Sequence, residues 1–316
     1  MTVRRRSYLV TPATSTRMIG KAAHSAADVV VLDLEDGVSP DRKDEARRIA
    51  AEVSRDPVWS NRLLAVRINQ PGTGMALSDL SAVLGSSGSQ VDLVVVPKVV
   101  APRDVWWVDT TLTELDSQLG IEHGVGIQVL VEDVAAIERL TEIARSSDRI
   151  ESLVFGPGDF SASMDADLAV AGNDRQDLYP GDVWHSVRTA ISLAAHTAGV
   201  AAVDGAYGDI GNLDGYRREC VWSRTLGFTG KWAIHPAQIE IANDVYAPSR
   251  EAIAAAERMV AAYDAAVAGG DGAAAHDGHL IDAATLRTAR AVLDTAAALG
   301  LRGRHPQEKL TESRRP

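Results

Sequence analysis

The chain has 316 residues, of which 46% are hydrophobic and 24% charged, enough for a full core and too ordinary for global disorder. Lys and Arg number 32 against 43 Asp and Glu, a formal net charge of −11, which makes a general polyanion binder, nucleic acid included, a poor fit. The single cysteine, Cys220, excludes an internal disulfide and a cysteine-based metal site.

The chain opens on a basic run, Arg4–Arg6, that reads as a solvated lead-in to a first strand at Tyr8–Val10. No adequate apolar stretch follows it, which argues against a signal peptide, and no run reaches the ~18 apolar residues of a membrane helix. Together with the lone cysteine this points to the cytoplasm and away from any membrane. A second apolar run, Val29–Leu34, leads to Ser39-Pro40, which reads as a cap with proline in the first turn of a helix over Asp41–Val53. Strands follow at Leu63–Ile68 and Leu93–Val96, then a helix at Asp104–Leu119 and a strand at Ile127–Val131. Next come a helix at Val134–Ala144, a strand at Leu153–Phe155, a helix at Asp182–Ala198, a strand at Val200–Val203, a helix at Leu213–Leu226 and a strand at Trp232–Ile234. These strand runs are mostly apolar throughout, as parallel strands covered on both faces must be.

That rhythm predicts an α/β fold, a (β/α)8 TIM barrel, over residues 1–248. A doubly wound open sheet is the alternative, but no strand is followed by the G-x-G-x-x-G phosphate turn. Beyond the barrel, Ser249–Ala268 reads as a helix, GGDGAAAHDGH at Gly269–His279 as a flexible connector, and Ala284–Leu299 as a second helix. Residues 249–301 are thus a C-terminal helical extension or lid, and 302–316 a polar, disordered tail.

In a barrel the C-terminal strand ends share one face, which carries the active site. Read there, the chain supplies Thr11 and Pro12, then Asp33, Glu35 and Asp36, then Arg67, Asn69 and Lys98. Glu132, the loop Gly156-Pro157-Gly158-Asp159, Asp204 and His235 follow. So many carboxylates cannot all stay ionised together without a cation. Oxygen ligands favour a hard ion, and Mg²⁺ takes one or two carboxylates plus waters and substrate oxygens. Glu132 and Asp159 end successive predicted strands and are the best direct ligands. Asp33, Glu35, Asp36 and Asp204 are candidates for holding waters around the ion or for orienting Arg67 and Lys98; Glu35 and Asp36 are equally candidates for caps or surface ion pairs. Arg67, ending an apolar strand, needs an anion, and its fork suits a substrate carboxylate or enolate oxygen. Lys98 reads as a partner of the acidic group at Asp33–Asp36, or as a Schiff-base lysine of a metal-free aldolase, against which the surplus of carboxylates argues. Lys21 and Arg17 are candidate phosphate contacts or a solvated helix face. His235 is a candidate ligand-binding residue or a structural hydrogen-bonder. No serine nucleophile elbow and no H-E-x-x-H motif is present.

The strings YLVTPAT, VVLDLEDGVSPDRKDEAR, AVRIN, VVVPKV, FGPGDFSASM, AVDGAYGDIGNLDGY and GFTGKWAIHPAQIEIANDVYAPS occur in this order. Together they resemble the citrate lyase β-subunit-like and malyl-CoA lyase family, from Tyr8 to Ser249 and again at LIDAATLRTAR around Asp282. The resemblance implies a (β/α)8 barrel with a C-terminal extension, assembled as a homotrimer or homohexamer. It implies an enzyme that cleaves or forms a C–C bond of a 3-hydroxyacyl-CoA, such as malyl-CoA or citramalyl-CoA, with Mg²⁺ (or Mn²⁺) as cofactor and coenzyme A as part of the substrate. It carries the metal-ligand role to Glu132 and Asp159, substrate-carboxylate and enolate binding to Arg67, and an acid/base role to Asp282, delivered by a neighbouring subunit's extension. Glu35 and Asp36 join the catalytic set, and Lys21, Lys98, Pro157, Gly158 and His235 the binding set. The chain departs from the family at Glu132-Asp133, often Glu-Thr there, at the following VAAIERL, and over Asp165–Tyr179, and these put the acyl substrate in doubt. The related class II pyruvate aldolases carry Glu-His where this chain has Glu35-Asp36. Thioester hydrolysis, a citrate lyase subunit acting on an acyl-carrier protein, and a non-catalytic scaffold are the alternative readings.

Overall fold

The computed structural model describes residues 5–85, 88–120, 124–166, 181–270, 273–276 and 279–301. The chain divides into two units, Arg5–Tyr246 and a second that carries the chain from Ala247 onward. The first unit begins β1 (Ser7–Pro12), α1 (Thr16–Ala23), β2 (Val29–Asp33), α2 (Lys43–Val53), β3 (Leu63–Arg67), α3 (Ala76–Leu84), β4 (Leu93–Val96) and α4 (Pro102–Leu119). It continues β5 (Gly126–Val131), α5 (Leu140–Ala144), β6 (Ile150–Phe155), α6 (Pro157–Ser163), α7 (His185–Ala198), β7 (Ala201–Asp204), α8 (Leu213–Thr225), β8 (Gly230–Ala233) and α9 (Ala237–Val245). The eight strands close in chain order, all parallel, because β1 pairs with β2 at Tyr8↔Val29 and with β8 at Tyr8↔Trp232.

The strands are buried on both faces, and residue parity decides which face each side chain takes. Tyr8, Val29, Val31, Ala65, Val95, Leu130, Val154, Val203 and Trp232 fill the barrel interior. Their alternates, among them Leu9, Val30, Leu32, Val66, Val94, Val129, Leu153 and Ala202, pack against the helices.

The predicted strands all form, displaced by a residue or a few at their ends. The helix expected at Val134–Ala144 is instead a 3₁₀ turn over Val134–Arg139 followed by the short α5, with the Asp133 carboxylate accepting from Ala135 N–H. Likewise α7 starts three residues after Asp182, whose side chain caps the preceding turn at Trp184 N–H. Among the described residues α3, α6 and α9, none longer than nine residues, add to the helices expected from sequence, and α1 gives Arg17 and Lys21 the helix face considered for them. The basic lead-in is not merely solvated. Arg6 grips Asp28 through Nε (2.8 Å) and Nη2 (2.9 Å) and donates to the Asn243 carbonyl, tying β1 to α9.

In the second unit α10 (Arg250–Ala268), capped by Ser249, and α11 (Ala283–Ala298) pack through Ile253, Ala256, Ala289, Leu293 and Ala296. The stretch expected as a flexible connector contains β9 (Ala274–His276), antiparallel to β10 (His279–Ile281). The expected tail at 302–316 and most of the distinctive stretch, 167–179, lie outside the described residues. Among the described residues no helix is long and apolar enough to cross a membrane.

Candidate active site

Parity carries on past the apolar part of each strand. Asp33 follows Val31 by two residues, Arg67 follows Ala65, and Glu132 follows Leu130, so all three turn inward where the strands end. Asp33 and Arg67 are also register partners across β2 and β3. Two parallel bonds join them, Arg67 Nε to Asp33 Oδ1 and Nη2 to Oδ2, both 2.7 Å. The same carboxylate accepts from Glu35 N–H (2.9 Å) and Gly37 N–H (2.8 Å). A Cβ on Gly37 would lie 2.4 Å from Asp33 Oδ2, so only glycine lets the loop close on this carboxylate. Burial favours the neutral acid, but Arg67 and the two amides outweigh it and hold Asp33 below the usual carboxylate range. For Arg67 burial likewise works against the charge, and the Asp33 bonds overcome it.

Since Asp33 occupies the Nε/Nη2 edge, a ligand can meet only the Nη1 end of the fork. Nη1 lies 2.9 Å from Glu35 Oε2 and 3.8 Å from Asp36, and the Trp232 ring is 5.7 Å from the guanidinium carbon. Glu35 is buried, and burial raises its pKa despite Arg67 and Lys98. Asp36 is half exposed. Lys43 holds the acidic loop from outside, its Nζ donating to the carbonyls of Leu34 (2.7 Å) and Glu35 (2.6 Å). Sequence reasoning missed Lys43; its place at the first residue of α2, soon after the acidic run, was the available signal.

Lys98 joins the two halves of the site. Its Nζ donates to Glu35 Oε1 at 2.7 Å and lies 3.4 Å from Asp36 Oδ1, while its backbone N–H donates to Glu132 Oε1 at 2.8 Å. Glu132 is 3% exposed. Burial first, then the nearby charges of Glu35 and Asp159, push it up to about 8. A Cβ on Gly156 would lie 2.6 Å from Glu132 Cβ and 2.8 Å from Oε2, so the glycine makes room for the carboxylate. Pro157 is buried at the start of α6, Gly158 is exposed, and Asp159 stands half-buried in the first turn. No set of three or more His, Cys, Asp or Glu among the described residues has metal-holding geometry. The donor set fits Mg²⁺ nonetheless, because that ion asks for one or two carboxylates and completes its shell with waters and substrate oxygens. Burial, with the charges of Glu35 and Asp159 nearby, turns Glu132 toward the neutral acid, and a bound cation would favour its charged form.

Asp204 does not belong to this group. It follows Ala202, a helix-facing position, and so turns away from the barrel axis. There it accepts from Arg188 Nε (3.0 Å) and Lys231 Nζ (2.6 Å), with Asp182 and Glu219 completing a buried ion network. The expectation that Asp204 holds waters around an ion or orients Arg67 is therefore corrected. Asn69 is buried, its N–H and Nδ2 both bound to Asp79 Oδ2. His235 is exposed and its Nδ1 accepts from Ala237 N–H at 3.2 Å, a cap for α9. Lys21 and Arg17 are exposed one turn apart on α1, the helix that leaves the rim after β1. In the second unit Asp282 is the N-cap of α11. Its Oδ1 accepts from Ala284 N–H and Thr285 N–H, each 2.9 Å, and from the Thr285 hydroxyl. The Thr285 bonds lead in holding it below the usual range.

Comparison with known proteins gives the site a context. The sequence model of the HpcH/HpaI aldolase/citrate lyase family matches residues 6–236. The chain is 37% identical over 299 residues to the L-malyl-CoA/beta-methylmalyl-CoA lyase of Rhodobacter capsulatus, covering 92% of this chain and 94% of that one. It is 30% identical over 299 residues to citrate lyase subunit beta of Escherichia coli K12, covering 94% and 95%. Among solved structures, the protein CitE of Mycobacterium tuberculosis, in complex with magnesium, acetoacetate and coenzyme A, matches with a TM-score of 0.74 at 30% identity, covering 94% of this chain and 99% of that one.

Proposed function

The chain belongs to the HpcH/HpaI aldolase/citrate lyase family, and on that premise we propose that it is a Mg²⁺-dependent carbon–carbon lyase of CoA thioesters. It cleaves or forms the C–C bond of a 3-hydroxyacyl-CoA such as malyl-CoA or citramalyl-CoA, giving an acyl-CoA and a 2-oxo acid. The relatives support both halves of this reading: one is named for malyl-CoA and beta-methylmalyl-CoA, and another was crystallised with magnesium and coenzyme A. The observation that carries it is the pairing of one guanidinium, fixed by Asp33, with a buried carboxylate driven up to about 8 beside it.

Glu132 and Asp159 hold the Mg²⁺, which when bound supplies Lewis-acid polarisation of the substrate's oxygens. In cleavage the 3-hydroxyl gives its proton to water as its oxygen becomes the carbonyl of the 2-oxo acid, and the electron pair of the broken C–C bond passes to the thioester as an acyl-CoA enolate. The Nη1 end of Arg67 donates to its oxygen, and Asp33 keeps the guanidinium from turning. Such a donor is worth ~2.7–4 kcal/mol, or about 10²–10³ in kcat. Asp282 takes the proton from the acyl carbon in condensation and returns it in cleavage. Lys21 and Arg17 receive the phosphates of coenzyme A, and Lys98, Pro157, Gly158 and His235 stand around the bound substrate. The same proposal has the enzyme cytoplasmic and a homotrimer or homohexamer, the extension bringing Asp282 to a neighbour's barrel.

The test is mass spectrometry of products from malyl-CoA and citramalyl-CoA, with Mg²⁺ and with EDTA. Acetyl-CoA with glyoxylate or pyruvate, lost in EDTA, is the expected result. Free CoA with an intact hydroxy-diacid would replace the lyase by a thioesterase.

A further inference from the structure

Lys98 is one of two non-glycine residues with positive φ among the described residues, at 53°. Such a conformation is strained for an L-residue and persists only where the surroundings enforce it. The enforcing contacts are visible. The backbone N–H points to one neighbouring strand end, at Glu132 Oε1, and the side chain reaches the other way, to Glu35 Oε1 beyond β3. At this φ the N–H and Cβ of a residue diverge, whereas in helical backbone they point nearly together. A right-handed Lys98 would give up one contact to make the other.

We propose that Lys98 is a positioning residue that sets Glu132 through its backbone amide and Glu35 through its ammonium, and that its left-handed backbone is what allows one residue to do both. Glu35 in turn lies 2.9 Å from Arg67 Nη1, the end of the fork left for substrate. One residue therefore fixes the carboxylate on the metal side and the guanidinium on the enolate side relative to each other. The role in metal binding rests on Glu132 being a ligand, as proposed above.

Lys98→Gly and Lys98→Ala separate the two contacts. Both lose the ammonium and both keep the N–H, but only glycine adopts this φ without strain. With the Nζ anchor gone, alanine relaxes to ordinary φ and swings its N–H off Glu132. Mg²⁺ affinity, read by thermal shift or calorimetry with no substrate present, should stay within about twofold of wild type in Lys98→Gly and fall about 10–100-fold in Lys98→Ala, the usual cost of losing a partner that orients a ligand. In both variants kcat at saturating Mg²⁺ should fall about 10–100-fold from the loss of Glu35 support, and Lys98→Arg should recover part of it. Equal Mg²⁺ affinity in the glycine and alanine variants overturns the backbone role. Unchanged kcat in both overturns the side-chain role. Glu132→Gln is the control: if it still binds Mg²⁺ like wild type, the metal assignment itself is wrong and the backbone role falls with it, whereas weak binding there beside equal Lys98 variants convicts the Lys98 proposal alone.

Discussion

Glu132 offers the sharpest measurable consequence of burying a carboxylate among carboxylates. Its pKa rises from the ordinary 4.5 to about 8 in the metal-free protein. The folded state then holds a proton that the unfolded state releases, so metal-free stability falls as pH rises between these two values. The slope is ~1.36 kcal/mol per pH unit. At pH 7, some 2.5 units above the unfolded value, the loss is about 3 kcal/mol, or roughly 4–5 °C in Tm at ~2.1 cal/mol/K of unfolding entropy per residue. Glu132→Gln removes the titration and keeps an amide oxygen for the Lys98 N–H. In EDTA the variant should melt below or level with wild type near pH 4.5 and progressively above it toward pH 8. Saturating Mg²⁺ should reverse the order. Binding at 1,000 times Kd stabilises by ~4.1 kcal/mol, more than the loss at pH 7, and only wild type should gain it. Differential scanning fluorimetry across pH, with EDTA and with MgCl2, reads all four curves. A difference curve that stays flat from pH 5 to 8, or a Gln variant that gains as much from Mg²⁺ as wild type, would refute the assignment.

Three further outcomes follow from distances. Gly156→Ala places a Cβ 2.6 Å from Glu132 Cβ; it should cost about 1–3 kcal/mol by overpacking and weaken Mg²⁺ about 10–100-fold by calorimetry. Asp33→Asn leaves Arg67 without its two-bond partner, and kcat should fall about 10²-fold in steady-state assays as the fork loses its aim. Lys231→Met strands Asp204 and Glu219 in a buried network and should cost about 3–5 kcal/mol in denaturant unfolding, with Mg²⁺ affinity unchanged in the folded fraction because that network faces the helices.

The barrel was legible because burial on both faces makes each strand a plain apolar run, and eight such runs punctuated by helices admit few closures. Helix starts were less legible. At Asp133 and Asp182 a side-chain carboxylate captures a backbone N–H two residues on and delays the helix, a local competition that periodicity does not register. The antiparallel pair Ala274–His276 and His279–Ile281 was hidden by small residues whose composition suggests a linker.

The strand ends nominated a set of residues for the site, and Asp204, which turns out to lie in a different ion network, shows what that reading lacked. Asp33 and Asp204 look alike in sequence, each an aspartate closing an apolar strand. What separates them is parity. Counting by twos from the strand's inward residues brings Asp33 onto the axis behind Val29 and Val31, whereas Asp204 falls in step with Ala202 and outward. The inward one finds Arg67 and the mouth of the barrel; the outward one finds Arg188 and Lys231. Parity needs an anchor, a residue known to face inward, and a strand with small or aliphatic residues on both faces provides none. A register partner does not supply it, because both aspartates have one: Asp33 lies opposite Arg67 on β3 and Asp204 opposite Lys231 on β8. Position at a strand end therefore nominates a catalytic residue, and only alternation counted from an interior residue decides the side of the wall: Trp232 fills the barrel, so Lys231 and its partner Asp204 face the helices.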